Sequence, residues 1–266
     1  LMSGVFYFTG FPMERIEGAD RYATAVEVAR VAFSGETSSV VIASGEDFAD
    51  ALTASALAGV VEAPLLLTRA ASLPSQVASA LADFAPSTVY IMGGDAAVTP
   101  AAESAIRAVV AGVVPEVEIV RVAGEDRYET AALAAELVLH YAPGTRVILA
   151  NGTAWADAAA ASALAYGERI PILLARPGAL GEDAAAFLET HAPGTTLLVG
   201  GTAVLPVTIE AEVKAASGAA PSRLAGATRY DTAAAVARYT VSTAVMFTYD
   251  EVYLATGEVF ADALTG

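Results

Sequence analysis

The sequence contains no cysteine, has lysine only at Lys214, and includes no long uninterrupted apolar segment. The absence of cysteine excludes disulfide bonds, thiolate zinc sites and cysteine nucleophiles. Because no apolar run approaches the roughly 18–20 residues that span a bilayer, we expect no membrane insertion. The opening residues 1–12 lack a basic segment and a clean apolar core, so they do not read as a signal peptide. Since the chain starts at Leu1, we expect residues upstream.

Basic residues are also scarce, with 14 Lys and Arg against 30 Asp and Glu, giving a net charge of −16. A negative charge of this size disfavours nucleic acids and anionic membrane surfaces as partners. Hydrophobic residues make up 55% of the chain and charged residues only 17%, which indicates a folded protein with a large core. A length of 266 residues suggests two packed units or an array of repeats.

A motif that occurs three times organises the chain. It begins at Arg15 as Arg-Ile-Glu-Gly-Ala-Asp-Arg-Tyr-Ala-Thr-Ala and recurs from Arg121 and Arg223, at offsets of 106 and 102 residues. A second block, Gly-x-x-Phe/Trp-Ala-Asp-Ala, follows each copy in register. Repeated landmarks in one order indicate tandem copies of one structural unit, which we expect to pack against each other. The predicted segments are a lead at 1–14, a first repeat at 15–120, a second at 121–222 and an incomplete third at 223–266.

Helical and strand patterns alternate within each repeat. The patterns in the first repeat predict helices at 24–33, 48–61, 74–84 and 100–110, and strands at 40–44, 64–68, 88–92 and 118–122. Strands that are apolar throughout are typical of parallel sheets covered by helices on both faces. We therefore predict an α/β protein of tandem Rossmann-like three-layer modules with mostly parallel sheets.

The residue that precedes Arg-Tyr in the first motif differs between the copies. It is Asp20 in the first copy, Asp126 in the second and Thr228 in the third. Asp and Thr both cap helix N-termini by accepting hydrogen bonds from the first free amides. A catalytic or metal-binding carboxylate would not tolerate threonine, so the exchange favours a structural cap.

An arginine and an aspartate recur in all three copies. A cation in the first helical turn opposes the helix dipole, so a compensating partner is expected. One interpretation is an Arg–carboxylate bridge between two loop–helix junctions, and the other is an arginine that grips an anionic ligand. Both can hold if repeats share the bridge across an interface. The residues are Arg21, Arg127 and Arg229, with Asp50, Asp157 and Asp262.

Few residues offer catalytic chemistry. The histidines, His140 and His191, lie outside every repeated block, and no nucleophile elbow, zinc-binding helix or phosphate loop occurs. The Gly93–Gly94 pair that follows a strand predicts either a tight turn or an anion-binding nest. We therefore predict no catalytic residue, no metal site and no cofactor.

Together, the repeated Arg-x-x-Gly-x-Asp-Arg-Tyr-x-Thr-Ala and Gly-Glu-x-Phe-Ala-Asp-Ala-Leu blocks resemble the cell wall-binding repeat 2 family. The resemblance implies Rossmann- or Toprim-like modules that occur in threes about a pseudo-threefold axis. It implies secreted proteins of Gram-positive bacteria, held non-covalently at the cell surface through an anionic, teichoic-acid-like or polysaccharide wall polymer. The family's Pro-Ile-Leu-Leu element, associated with anchoring, maps to Leu65, Leu66 and Leu67 and to Ile172, Leu173 and Leu174.

A protein of net charge −16 is repelled by an anionic polymer at long range, so binding requires local contacts. Arginine donors, above all Arg21 and Arg127, sugar hydrogen bonds or bridging divalent cations would supply them. Two other functions stay open: a wall-active hydrolase that uses the repeated aspartate, and a structural spacer of a surface layer.

Overall fold

The fold contains two four-stranded sheets in which every strand pairing is parallel. The structure is a computed structural model that describes residues 13–243, 247–250, 252–260 and 262–264. In the first sheet the strand order is β2-β1-β3-β4, and in the second it is β6-β5-β7-β8. The predicted α/β class with parallel sheets is confirmed.

Helices and strands alternate along the described part of the chain. The strands are β1 (Ser39–Ser44), β2 (Leu65–Thr68), β3 (Thr88–Met92), β4 (Glu118–Val122), β5 (Arg146–Asn151), β6 (Ile172–Ala175), β7 (Thr195–Val199) and β8 (Ser222–Leu224). The helices are α1 (Arg21–Ala32), α2 (Ala49–Val60), α3 (Ser75–Phe84), α4 (Pro100–Ala111), α5 (Arg127–Tyr141), α6 (Trp155–Glu168), α7 (Glu182–His191), α8 (Val207–Ser217) and α9 (Arg229–Thr243). A 3₁₀ turn follows at Asp262–Leu264.

The predicted and observed elements of the first repeat agree closely. Strands β3 and β4 have the predicted bounds, and α2 is one residue shorter at each end. The largest difference is at α1, which begins at Arg21 instead of the predicted residue 24 because Asp20 caps the helix there. A capping side chain sets a helix start more sharply than hydrophobic spacing does.

One hydrophobic cluster crosses the boundary between the first two repeats and joins the two sheets, and a second cluster lies within the second repeat. Helix α2 connects β1 to β2 and packs on the first sheet, while its outer side contacts α5 and α6 of the second repeat. It is therefore buried almost all round, as its alanine-rich sequence suggests. The cluster that crosses the boundary runs from Tyr22 in the first repeat through Val199 in the second and includes Val236 and Leu264 of the third. The predicted packing of one module against another is thus observed here.

Each sheet takes its last strand from the start of the next sequence repeat. Strand β4 crosses the predicted boundary at residue 120, and β8 crosses the boundary at 222. Consecutive repeats are therefore joined by a shared strand. The predicted boundaries mark where the sequence motif recurs, and they do not separate the sheets. In the third repeat the regular elements within the described ranges are the end of β8, α9 and the 3₁₀ turn.

Candidate functional site

The acidic position of the repeated motif caps a helix in the first two copies. The Asp20 carboxylate accepts hydrogen bonds from the amides of Tyr22 and Ala23 at 3.1 and 2.9 Å. Asp126 does the same for the amides of Tyr128 and Glu129 at 2.9 and 3.1 Å. Each carboxylate therefore satisfies two backbone donors that a helix start leaves free.

In the third copy, Thr228 and Asp231 cap α9 together. The Thr228 hydroxyl oxygen accepts from the Asp231 amide at 3.2 Å, and the Asp231 carboxylate accepts from the Thr228 amide at 3.0 Å. This reciprocal pair is a capping box, in which two free donors are satisfied at once. Threonine can replace aspartate here because the following aspartate supplies the second acceptor.

Each repeated arginine joins two repeats. The guanidinium of Arg127 donates to the carbonyl of Gly152 in its own repeat at 2.9 Å and lies 5.4 Å from the ring centre of Phe48 in the preceding repeat. Arg229 donates to Gly257 at 2.6 Å and lies 5.4 Å from the ring centre of Trp155. A guanidinium over an aromatic face is attracted by the ring quadrupole.

Arg21 closes this arrangement into a cycle. It donates to the Gly45 carbonyl and lies 5.2 Å from the ring centre of Phe260, in the third repeat. The second repeat thus docks on the first, the third on the second, and the first on the third. The order is that of a pseudo-threefold ring in which every contact uses the same two positions of the repeat.

The ring of Phe260 lies against the two other rings. Phe48 and Phe260 are 6.1 Å apart between ring centres, and Trp155 and Phe260 are 6.5 Å apart. These separations and their tilted or edge-on geometries are the ones that aromatic pairs prefer. We name the Phe48, Trp155 and Phe260 rings with their three arginines the axial cluster. The aromatic position recurred in all three copies of the sequence, yet sequence reasoning gave it no role.

The structure corrects the expected partner of the repeated arginines. Within the described ranges the salt bridge of Arg127 is with Asp47 at 2.9 Å, and none joins it to Asp50. Asp157 likewise forms no ion pair with Arg229 within 4.0 Å in the same part of the chain, although the guanidinium is close enough to favour the charged carboxylate. Glycine carbonyls and aromatic rings satisfy the arginines instead. The Asp262 side chain lies outside the described residues.

Asp50 is mostly buried at the start of α2 and points toward the Gly93–Gly94 turn. Burial and the neighbouring charge of Asp47 raise the pKa of Asp50 from 3.8 to about 6, while Arg127 acts in the opposite direction. Burial also raises the pKa of Asp157, against the hydrogen bond from Thr232 and the charge of Arg229.

Gly93 makes room for the Asp50 carboxylate. A Cβ atom at Gly93 would lie 2.2 Å from Asp50 Oδ2, and its φ of +91° is a conformation that other residues rarely adopt. The Gly94 carbonyl accepts the amides of Ala97 and Val98, as in a tight turn. The glycine pair therefore serves a close approach and a turn in this structure.

A cleft of about 340 Å³ opens between the first two repeats at the carboxyl ends of the strands. Parallel sheets often bind ligands at this edge. Five carboxylates and one arginine line it, namely Asp47, Asp50, Asp95, Glu125, Asp126 and Arg127. This surplus of negative charge disfavours an anionic ligand in the cleft. Across the described residues, no group of three or more Asp, Glu or His side chains has the geometry of a metal site.

The structure also corrects the expected role of the Leu/Ile element. Leu66 and Leu67 in β2 are 0% exposed, and Ile172, Leu173 and Leu174 in β6 are 1% exposed. Leu65 is half-buried. The strands that carry them contribute to the cores of the two sheets, so all of these side chains except Leu65 are inaccessible to a polymer in this conformation. Their apolar character reflects burial in a parallel sheet.

The residue after each of these strands is an arginine that covers the repeated tyrosine. Arg69 lies 5.2 Å from the ring centre of Tyr22, and Arg176 lies 4.2 Å from that of Tyr128. Arg176 also pairs with the cap residue Asp126 at 2.8 Å. These contacts tie the end of an edge strand to the helix cap, and the two tyrosines are occupied by packing.

The first arginine of the repeated motif stabilises the glycine turn. Arg121 donates to the carbonyls of Gly93 and Val98 at 2.8 and 3.0 Å and pairs with Glu103 at 2.6 Å. Arg223 repeats the arrangement in the second sheet, with Gly200 at 2.7 Å and Glu210 at 2.7 Å. Sequence reasoning recorded this arginine as a landmark and assigned it no role, although its recurrence was the available signal.

Comparison with known protein families decides the identity of the repeats. The model of the family "Cell wall binding domain 2 (CWB2)" matches residues 15–103, 121–210 and 223–266. The chain belongs to this family. The matches begin at the three arginines that open the repeated motif, and they place CWB2 repeats on both sheets and on α9. The resemblance drawn from the motifs is confirmed.

Two relatives of this CWB2 chain are proteins of Bacillus subtilis. The N-acetylmuramoyl-L-alanine amidase LytC of Bacillus subtilis is 29% identical over 96% of this chain and 47% of its own length. The Amidase enhancer of the same organism is 25% identical over 95% of this chain and 32% of its own length. This chain thus spans about half or less of these relatives.

Solved structures show the same architecture. Cwp6 from Clostridium difficile superposes with a TM-score of 0.82 and 28% identity over 99% of this chain. Cwp8 from the same organism gives 0.78, with 28% identity over 94%. Each match covers 42% of the solved chain. No helix among the described residues has the length and apolarity needed to cross a bilayer.

Proposed function

We propose that this chain is a non-catalytic module that anchors a secreted protein to the bacterial wall by binding an anionic wall polymer. Membership of the CWB2 family across three repeats is the observation that carries the proposal. The polymer contacts are proposed to include Arg21, Arg127 and Arg229, because guanidinium groups recognise phosphate and carboxylate groups through paired donors.

The axial cluster supports these arginines as contacts. Each donates to a glycine carbonyl and lies over an aromatic ring, so its position is fixed before a ligand arrives. A preorganised donor loses less conformational entropy on binding than a free side chain does. Arg127 retains 31% side-chain exposure, and Arg229 is exposed. Arg127 also lines the acidic cleft between the first two repeats and pairs there with Asp47, so Arg21 and Arg229 are the stronger of the three candidates.

Co-sedimentation with purified, protein-free Gram-positive walls tests the proposal. The chain is expected to sediment with intact walls and to remain in solution after acid extraction of the secondary polymers. Equal binding before and after extraction would contradict a polymer ligand. Sedimentation without walls would favour the surface-layer spacer, and release of wall fragments that is lost in Asp50→Asn would favour the hydrolase.

A further inference from the structure

We infer that the three repeats build one composite polymer site at the axial cluster instead of three separate sites. The inference rests on the proposed function, and it concerns how many polymer segments one chain binds and where. A repeat array ordinarily suggests several equivalent sites that act together through multivalency. The geometry of the axial cluster points to a different outcome.

The first argument is convergence. Each arginine lies 5.2–5.4 Å from the centre of an aromatic ring. The ring of Phe260 is within 6.5 Å of both other rings. All three guanidinium groups therefore border a single aromatic patch, so neighbouring groups of one ligand can reach more than one of them.

The second argument is that the arginine and the aromatic ring of each pair come from different repeats. Arg127 belongs to the second repeat and its ring, Phe48, to the first, and Arg21 pairs with Phe260 across the whole chain. A separated repeat would keep an arginine and an aromatic residue but would not bring the two together. The composite site consequently exists only when the repeats are assembled.

The third argument is the uneven charge around the cluster. Arg127 is paired with Asp47. The residues at the equivalent position are Ala154 beside Arg229 and Val259 beside Arg21, and both are uncharged. Among the described residues neither Arg21 nor Arg229 forms a salt bridge, and the hydrogen bonds found for them use only Nη1. Since a guanidinium carries five N–H donors, Arg21 and Arg229 each have donors that no group among the described residues occupies.

The chemistry of the patch indicates the ligand class. Donor-bearing guanidinium groups suit phosphate oxygens. The three rings are half-buried against the core, and each holds a guanidinium group over its face. Three guanidinium groups around one aromatic patch fit a polymer that carries several phosphate groups. The site is thus expected to prefer a glycosyl phosphate chain over an uncharged glycan.

The chain carries its own reporter for this site, because Trp155 is its single tryptophan. We would titrate the full chain with short, size-fractionated polymer that acid releases from the same walls, following Trp155 fluorescence and measuring stoichiometry by calorimetry. The expected result is one polymer segment per chain, together with a fluorescence change.

Arg21→Gln and Arg229→Gln should each weaken binding about tenfold, the equivalent of losing one charge-assisted hydrogen bond. Arg127→Gln should weaken it less.

The matched control is Arg30→Gln, which removes the same charge from the far end of α1, where Arg30 pairs with Glu27 and Asp83. It should leave binding unchanged. If a glutamine variant loses its circular dichroism signal, the lysine variants Arg21→Lys and Arg229→Lys replace it, with weaker binding still expected.

Two or three segments per chain, with one segment lost in each arginine variant and unchanged affinity for the others, would overturn the composite site while leaving wall binding intact. One segment per chain with unaltered Trp155 fluorescence would place the site elsewhere and also overturn the inference. Failure of the wild-type chain to sediment with intact walls would instead refute the proposed function itself.

Discussion

Replacing Asp50 by asparagine should stabilise the protein at neutral pH. The pKa of Asp50 is raised from 3.8 to about 6, chiefly because the carboxyl is buried and secondly because Asp47 lies nearby. A difference of this size corresponds to about 3 kcal/mol of destabilisation when the folded protein holds the charged form. Burying the asparagine amide costs about 1 kcal/mol, so the expected net gain for Asp50→Asn is about 2 kcal/mol.

The sign of the pH dependence follows from proton linkage. Between the unfolded pKa of 3.8 and the folded pKa of about 6, the folded protein binds more protons at Asp50 than the unfolded chain does. The contribution of Asp50 to the free energy of unfolding therefore rises as the pH falls through about 6, and it levels off below 3.8. The advantage of Asp50→Asn should accordingly be largest above pH 7 and shrink steadily toward pH 4.

Urea unfolding at several pH values, followed by Trp155 fluorescence, measures this difference. Comparing the variant with the wild-type chain at each pH cancels the titrations that both proteins share. Asp95→Asn is the matched control, because Asp95 lines the same cleft but is exposed, and it should change stability by no more than about 0.5 kcal/mol. Destabilisation by Asp50→Asn that is equal at all pH values would refute this account, since a pH-independent difference means that the pKa of Asp50 is the same in the folded and unfolded states.

Three further substitutions test the scaffold around the site. Arg121→Ala should cost about 2–4 kcal/mol in urea unfolding, because two carbonyls and a carboxylate lose their donor, whereas Arg107→Ala on the exposed side of α4 should cost under about 0.5 kcal/mol. Gly93→Ala should lower the melting temperature clearly, since its φ is +91° and its Cβ would meet Asp50, while Gly94→Ala, with open space around it, should be tolerated; equal effects would contradict this account of the turn. Asp126→Ala should cost about 1 kcal/mol through loss of the α5 cap, and no change in thermal unfolding would show that the cap contributes little.

The sequence predicted a large part of the fold because its signals are local or periodic. Strands β3 and β4 were located at their observed bounds, and the repeated motifs gave three comparisons of the same positions within one chain. That comparison separated the interchangeable cap positions Asp20 and Thr228 from the invariant Arg21. It could not reveal what the invariant residues touch, because their partners lie in other repeats.

The candidate site was predicted less well for the same reason. The recurring arginine and aspartate suggested a bridge to Asp50, but Arg127 instead contacts Asp47 and the ring of Phe48, about eighty positions earlier in the chain. The Leu/Ile element suggested a binding surface, but its side chains lie in the sheets. Apolar composition alone does not distinguish a buried strand from an exposed apolar patch.

The sequence by itself determined that one α/β unit was repeated, where its helices and strands run, and that cysteine chemistry and disulfides have no part in it. Local patterns carry this information because hydrogen-bonded elements form between residues close in sequence, with periodic burial on one or both faces. Only the tertiary structure decided that Phe260 meets Phe48 and Trp155, that Arg21 reaches the third repeat, and that Asp50 is mostly buried with a raised pKa. Such contacts depend on how whole repeats dock, and docking is set by the shapes and charges of surfaces assembled from residues far apart in the chain.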